Sequence, residues 1–189
     1  KAVVDRKVPL VPTFTFQANL ADFGAAIGSD ENLREVFRAE ITESVGTLRA
    51  AFDAGVPLAT GSESGFSLTP YGDWHYRELQ VFVEDLGMTP LQAINSATEQ
   101  GARALKLEGE LGCIKPDYLA DILIFDGEPE THITQLGDAD RFRHIIKDGQ
   151  LIDTSTPLPK DWQLPGWRVS EYSERILTKE LVQSMGLNH

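Results

Sequence analysis

The sequence has 189 residues, of which 41% are hydrophobic and 24% charged, a composition typical of a folded globular chain. Its formal net charge of −12 argues against a surface that follows a phosphate backbone, so we expect no nucleic-acid partner. No segment approaches the ~18 consecutive apolar residues of a membrane span, so we expect no membrane partner. The single cysteine, Cys113, excludes an intrachain disulfide and favours a reducing, cytoplasmic location.

The N-terminal part of the chain predicts a strand followed by a long helix. Residues 8–14 have the pattern of a buried strand with prolines near its ends. Apolar residues recur every three or four positions over residues 33–52, which predicts an amphipathic helix. Ser29 or Asp30 is the predicted N-cap, and Gly55 stands where a helix end favours a left-handed residue.

A short strand, a polar loop and two further helices are predicted next. The apolar run 56–59 predicts a buried strand that leads into the loop 60–65. Helices are predicted over about 73–86 and over 89–105, the second of them beginning with a capping box formed by Thr89 and Gln92. Helix, buried strand and loop in this order are typical of a parallel α/β unit.

The hydrophobic period then changes from that of helices to that of strands. Residues 120–126 predict a strand, and residues 143–152 predict a hairpin with Asp148-Gly149 at its turn. We therefore expect a domain boundary near residues 106–113. A final helix is predicted from about residue 170 to residue 185.

Glu63 and His75 are the candidates for chemistry. Glu63 lies in the loop just after a predicted buried strand, and catalytic groups of parallel barrels lie at the C-terminal ends of strands. Residue type alone favours a solvated loop acid for Glu63. For His75 it leaves a substrate contact and a solvated histidine at a helix start equally open. His144 and Cys113 are interpreted as structural residues.

The loop Gly61-Ser62-Glu63-Ser64 resembles the Gly-Thr-Asp-Ser/Ala loop of the amidohydrolase superfamily, in the branch of imidazolonepropionases and prolidase-like peptidases. Further motifs follow in the order and at the distances typical of that family. They are residues 75–79, 86–93, 97–98, 102–105, 111–116, 119–126 and 145–149. Each motif is weak alone, but together they form a specific pattern that spans residues 8–152.

The resemblance implies an α/β fold. This chain would contain the last β/α units of a TIM-like (β/α)8 barrel, followed by part of a small β-sandwich domain. Residues 1–110 would belong to the barrel, residues 111–153 to the sandwich, and residues 154–189 to a C-terminal tail with a terminal helix. Barrel strands one to six would be supplied from outside these residues.

The resemblance also implies roles for the two candidates. Glu63 would be the metal ligand and the catalytic acceptor of the proton from the attacking water, with His75 as a substrate-binding residue. The family has aspartate at the first position. Glutamate carries its carboxylate about an ångström further, and a displacement of that size costs ~100-fold in rate. The family's His-x-His pair is not found among the four histidines, His75, His132, His144 and His189.

From this resemblance we expect the C-terminal part of a metal-dependent amidohydrolase that hydrolyses C–N bonds of amides, cyclic amides or dipeptides. The complete enzyme would bind a divalent metal, with zinc as the first choice. This chain alone would be inactive and would hold no stoichiometric metal. Its partners would be the amide or peptide substrate and either a second copy or a chain that supplies the missing strands. The alternatives are a non-catalytic association module and an inactive amidohydrolase relative.

Overall fold

The computed structural model describes residues 2–155 and 176–187. This part of the chain contains seven α-helices, three short 3-10 helices and one small antiparallel sheet. The α-helices are α1 (Ala2–Arg6), α2 (Phe14–Phe23), α3 (Glu31–Asp53), α4 (His75–Glu84), α5 (Pro90–Ala97), α6 (Glu99–Ala104) and α7 (Lys179–Ser184). The strands are β1 (Ile122–Phe125), β2 (Phe142–Lys147) and β3 (Gln150–Leu151), and the 3-10 helices are Gly24–Ile27, Ile133–Gly137 and Ala139–Arg141.

Helix α3 confirms the long amphipathic helix predicted from its apolar period. The Asp30 carboxylate caps it by accepting hydrogen bonds from the backbone amides of Asn32 and Leu33, at 2.9 and 3.4 Å. The chain leaves the helix through Gly55, whose φ of 80° lies in the left-handed region. Its inner face packs on the core through Ile41, Val45, Leu48 and Phe52.

Replacing Asp30 by alanine is expected to destabilise the protein by about 0.5–2 kcal/mol, because two amides at the start of α3 lose their acceptor. Glu35→Ala is the matched control, since it removes an exposed carboxylate from the same helix. Urea unfolding followed by circular dichroism measures both variants. Equal midpoints for the two variants would show that the Asp30 cap contributes nothing specific.

The strand predicted over residues 8–14 is mostly wrong. Only Leu10 forms a bridge, parallel to Leu58, with Leu10 N donating to the Pro57 carbonyl at 3.0 Å and Ala59 N donating to the Leu10 carbonyl at 2.9 Å. Thr13 then takes a left-handed conformation, with φ 59°, and Phe14 begins helix α2. This helix is buried on most sides, so its residues lack the polar face that makes a helix visible in a sequence.

Two apolar clusters form the core. The first surrounds Phe82 and Leu86 and joins α2, α3, α4, α5 and the segment around Leu58. The second surrounds Trp74 and joins α2 to Leu177 and α7. Trp74 Nε1 donates a hydrogen bond to the Leu177 carbonyl at 2.8 Å, so α4 is anchored to the C-terminal segment.

The helix predicted over residues 89–105 begins as expected, but the prediction of one continuous helix is wrong. The capping box forms, with Thr89 N donating to Gln92 Oε1 at 2.8 Å and Gln92 N donating to Thr89 Oγ1 at 3.3 Å. The helix breaks at Thr98, whose hydroxyl donates to the Ile94 carbonyl at 2.9 Å, and a hydroxyl bonded in this way disturbs the helical ladder. Leu105, at the end of the predicted helix, is 70% exposed.

The predicted strand and hairpin are confirmed as a sheet with the order β1-β2-β3. Asp148 and Gly149 both have positive φ, as the two-residue turn requires. Large apolar side chains remain exposed on β1, β3 and the residue after β3, namely Leu123, Ile124, Leu151 and Ile152. The predicted final helix corresponds in part to α7, while residues 170–175 of that prediction lie outside the described residues.

Candidate functional site

The candidate site is the loop 60–65, which follows a short buried segment. Val56, Leu58 and Ala59 are each 1% exposed, so the chain leaves the core directly into this loop. The main chain at Glu63 has φ 47°, a conformation that a non-glycine residue rarely takes without functional or structural constraint. The Glu63 carbonyl accepts a hydrogen bond from Thr69 Oγ1 at 2.7 Å, which holds this backbone, and the Glu63 side chain is exposed.

The loop is packed against the segment that follows Leu10. A Cβ atom on Gly61 would lie 2.5 Å from Val11 Cγ1 and 3.1 Å from Thr13 Cγ2, so any other residue would displace these two side chains. Leu10 and Leu58 are neighbours in a parallel bridge. The residues after each of them therefore meet at the same edge, where side chains from both segments can act on one ligand.

His75 is the first residue of α4, and the structure brings it to the loop. Its Nδ1 lies 3.1 Å from Ser62 Oγ, which is itself 2.7 Å from Ser64 Oγ. Although the ring retains exposed surface, desolvation lowers the pKa of His75; Asp73 opposes this shift and Lys179 adds to it. The imidazole is therefore favoured as a neutral hydrogen-bonding group at pH 7.

The other sequence candidates do not join this site. His144 lies on β2 and is exposed, His132 precedes a 3-10 helix, and Cys113 is a half-buried free thiol. Over residues 2–155 and 176–187, no group of three or more His, Cys, Asp or Glu side chains is arranged to hold a metal ion. The donor set of the described residues therefore fits a metal only as part of a larger set of ligands, since protein zinc sites take three or four protein ligands.

Glu78 lies within the motif of residues 75–79 and was not among the predicted site residues, and the structure gives it an unexpected position. It is 0% exposed, and its carboxylate accepts hydrogen bonds from Phe14 N at 3.1 Å and from Thr15 N and Thr15 Oγ1 at 2.8 Å each. The signal in the sequence was a charged residue four positions before Phe82 on the inward face of a predicted helix. Such a residue is almost never buried without partners.

A cavity of about 510 Å³ lies beside the site, between α4, α7 and the two 3-10 helices that precede β2. Trp74 and Tyr76, which flank His75 in sequence, line it together with Lys179 and Asp138. The Lys179 ammonium donates to the Gly137 carbonyl at 2.6 Å, and desolvation lowers its pKa. Trp74 is core and Tyr76 is half-buried, so the aromatic residues form the inner wall of this cavity.

A parallel-paired core segment that ends in an acid-bearing loop, together with flanking helices, is an arrangement found in α/β proteins. The model of the amidohydrolase family matches residues 15–152, and the chain belongs to this family. The family resemblance found in the sequence is confirmed.

Individual relatives agree with this assignment. The chain is 32% identical over 103 residues to an imidazolonepropionase of Rhodococcus jostii. The matched region is 54% of this chain and 25% of the relative. It is 32% identical over 105 residues to an ochratoxinase of Aspergillus niger, which covers 55% of this chain and 21% of the relative. The chain thus matches about a quarter of the length of these curated relatives.

Solved structures give the same result. A prolidase complexed with N-methylphosphonate-L-proline superimposes with a TM-score of 0.66 at 26% identity, covering 80% of this chain and 36% of that one. A Xaa-Pro dipeptidase with bound methionine superimposes with a TM-score of 0.62 at 28% identity, again over 80% of this chain and 36% of that one.

In residues 2–155 and 176–187, no helix combines the length and hydrophobicity that crossing a bilayer requires.

Proposed function

We propose that this chain is the C-terminal part of a metal-dependent amidohydrolase that hydrolyses C–N bonds of amides, cyclic amides or dipeptides. One observation carries the proposal: in a chain of this family, Glu63 follows a buried, parallel-paired segment on an ordered loop. The chain then represents the last β/α units of a (β/α)8 barrel and one sheet of a β-sandwich. The named activities of the relatives support substrates with an imidazolone ring or an Xaa-Pro bond.

Glu63 is the residue proposed to take the proton from the attacking water. Its side chain is exposed, and its loop begins at the edge where the residues after Leu10 and Leu58 meet, so the carboxylate is available to a ligand. Its oxygens also suit a divalent cation, zinc first, which would supply a polarised water when bound. The hydrogen bond from Thr69 Oγ1 to the Glu63 carbonyl limits the motion of the loop backbone.

His75 is proposed to contact the substrate. The hydrogen bond between its Nδ1 and Ser62 Oγ fixes the ring next to the Glu63 loop and leaves Nε2 for a ligand. Because desolvation lowers the pKa of His75, the neutral ring can donate or accept one hydrogen bond to an amide without adding charge.

We predict that the isolated chain retains far less than one equivalent of zinc after dialysis, because Glu63 alone is too few ligands for tight binding. Elemental analysis by mass spectrometry measures the metal. The complete protein, which adds the residues upstream of Lys1, serves as the comparison and is expected to hold at least one equivalent. A full equivalent of tightly held zinc on the isolated chain would contradict the proposed division of the ligands.

Activity is tested by incubating the complete protein and the isolated chain with the same panel: imidazolonepropionate, Xaa-Pro dipeptides and ochratoxin. We expect hydrolysis of at least one member by the complete protein and none by the isolated chain. Complete protein that is folded and metal-loaded yet hydrolyses no compound of the panel would favour the inactive relative. The replacement of the family's aspartate by Glu63 is the observation that supports this second candidate.

The exposed apolar residues of the sheet support a third candidate, a non-catalytic association module. Leu123, Ile124 and Leu151 are 58%, 43% and 64% exposed, and uncovered strands of this kind promote association with a second copy or with a chain that supplies barrel strands. Light scattering decides: a stable monomer at high concentration counts against an obligate association module. The single cysteine supports a cytoplasmic location for all three candidates.

A further inference from the structure

Glu78 joins two parts of the candidate site that are far apart in sequence. It lies on α4, three residues after His75, and its buried carboxylate binds the first two backbone amides of α2, those of Phe14 and Thr15. Thr13 occupies the N-cap position but makes no side-chain cap of its own. The Glu78 carboxylate therefore replaces a local cap, and its negative charge is favourable at the positive end of a ten-residue helix.

The segment held by Glu78 is the one that touches the Glu63 loop. Val11 and Thr13 lie just before α2, and a Cβ atom on Gly61 would meet the side chains of both. Gly61 stands two residues before Glu63. A shift of Thr13 is therefore expected to move the Gly61 backbone, because closely packed atoms transmit a displacement to their neighbours.

We propose that Glu78 is a positioning residue that fixes the Glu63 loop relative to His75 by holding residues 11–15 against Gly61. The inference rests on the proposed roles of Glu63 and His75 and extends them to a residue that contacts neither substrate nor metal. The buried Glu78 carboxylate, at the junction of α2 and α4, would then align the site.

The surroundings of Glu78 make this alignment dependent on pH. Burial raises the pKa of Glu78 to about 7, against the opposing effect of its hydrogen bonds from Thr15, Phe14 and Thr13. The other charged or titratable groups on α4 face elsewhere: Arg77 pairs with Asp22 of α2, Glu84 accepts from Gln80, His75 faces Ser62, and Tyr76 lies against Lys179. Helix α5 and the 3-10 helix Ile133–Gly137, which also pack on α4, contain no charged residue.

Protonation changes what Glu78 can do for α2. The carboxylate has acceptor sites for all three donors, whereas the neutral acid turns one oxygen into a donor that faces N–H and O–H groups. Residues 13–15 are therefore expected to shift as the pH passes through about 7, and Gly61 and Glu63 should follow them with the same midpoint.

The test is an NMR titration of the isolated chain from pH 5 to pH 9, with labelled backbone amides and labelled glutamate carboxyl carbons. A His75→Asn background removes the imidazole, which would otherwise titrate beside the same loop. In this background, and equally with Glu84→Gln as the control on α4, the Thr15, Gly61 and Glu63 amides should share the midpoint of the Glu78 carboxyl carbon. With Glu78→Gln these transitions should disappear.

A Thr15 transition near pH 7 without one at Gly61 and Glu63 would overturn the proposal, because Glu78 would then be only a structural cap. The absence of any Glu78 titration between pH 5 and pH 9 would also overturn it. If Glu78→Gln does not fold, the carboxyl and amide midpoints of the His75→Asn chain decide the matter alone.

The titration uses neither substrate nor metal, so its outcome is separate from that of the proposed function. In the complete protein, Glu78→Gln is expected to lower kcat by up to about 100-fold with a smaller effect on KM, as for a misplaced catalytic group. Glu84→Gln should leave kcat unchanged. If the Glu78 and loop titrations share a midpoint but the complete protein is inactive, the proposed function is refuted and the positioning role stands. If the complete protein is active but the midpoints differ, the function stands and the positioning role is refuted.

Discussion

Replacing Glu63 by glutamine in the complete protein is expected to lower kcat by about 10²–10⁴-fold, the usual contribution of a positioned general base. Glutamine keeps the size of the side chain and its acceptor oxygen, but it cannot take a proton from water. The Glu63 side chain is exposed on an ordered loop, so the substitution is expected to leave folding intact. Steady-state hydrolysis of whichever panel compound is the substrate measures the loss.

Two further variants make this test specific. Glu99→Gln removes an exposed carboxylate at the start of α6, outside the site, and should retain the full rate. Glu63→Asp restores the residue type of the family and draws the carboxylate back by about an ångström, so the rate is expected to change by up to ~100-fold. A Glu63→Gln enzyme with normal kcat would remove Glu63 from the mechanism.

Replacing Phe82 by alanine is expected to destabilise the chain by about 3–5 kcal/mol, the largest effect on stability that we predict. Phe82 is 0% exposed and lies in the cluster that joins α4 to α2, α3 and α5, so its loss leaves a cavity that rigid neighbours fill only in part. For a chain of this length the change corresponds to a fall in Tm of roughly 10 °C. Differential scanning calorimetry measures it.

Leu91→Ala is the matched control, because Leu91 is 63% exposed on α5 and its truncation leaves no cavity in the core. Its effect should stay within about 0.5 kcal/mol. A Phe82→Ala variant as stable as the Leu91→Ala variant would mean that the cluster around Phe82 does not stabilise the fold.

Local signals in the sequence predicted the elements that depend on local chemistry. The Asp30 cap, the Thr89 capping box and the Asp148-Gly149 turn each involve residues within a few positions of one another, and all three are confirmed. The long helix α3 was equally visible because one face is solvated and keeps the apolar period readable.

Helix α2, which the sequence did not predict, depends on distant contacts. It was missed because Phe14 and the residues after it are buried by α3 and α4, which removes the polar face. The break at Thr98 has a local cause, since its hydroxyl bonds to the Ile94 carbonyl four residues earlier and disturbs the helical ladder. A threonine in a helical pattern does not by itself reveal that its hydroxyl will bond in this way.

The candidate site shows the same division. Glu63 was found because a polar loop after a buried apolar run is a local pattern, and the family motif assigned it a role that remains a prediction. The contact between Ser62 and His75, and the bond from Glu78 to Thr15, depend on how α4 packs. The second of these joins residues 63 positions apart, which no local pattern predicts.

The central claim is that this chain supplies the last part of an amidohydrolase whose remaining metal ligands come from preceding residues. Sequencing the DNA upstream of the codon for Lys1 tests it most directly. The account predicts an open reading frame that continues through Lys1 and encodes a His-x-His pair on a predicted strand about 200 or more residues upstream, in keeping with the architecture of (β/α)8 barrels. A frame that starts near Lys1, or one with no such pair, would contradict it.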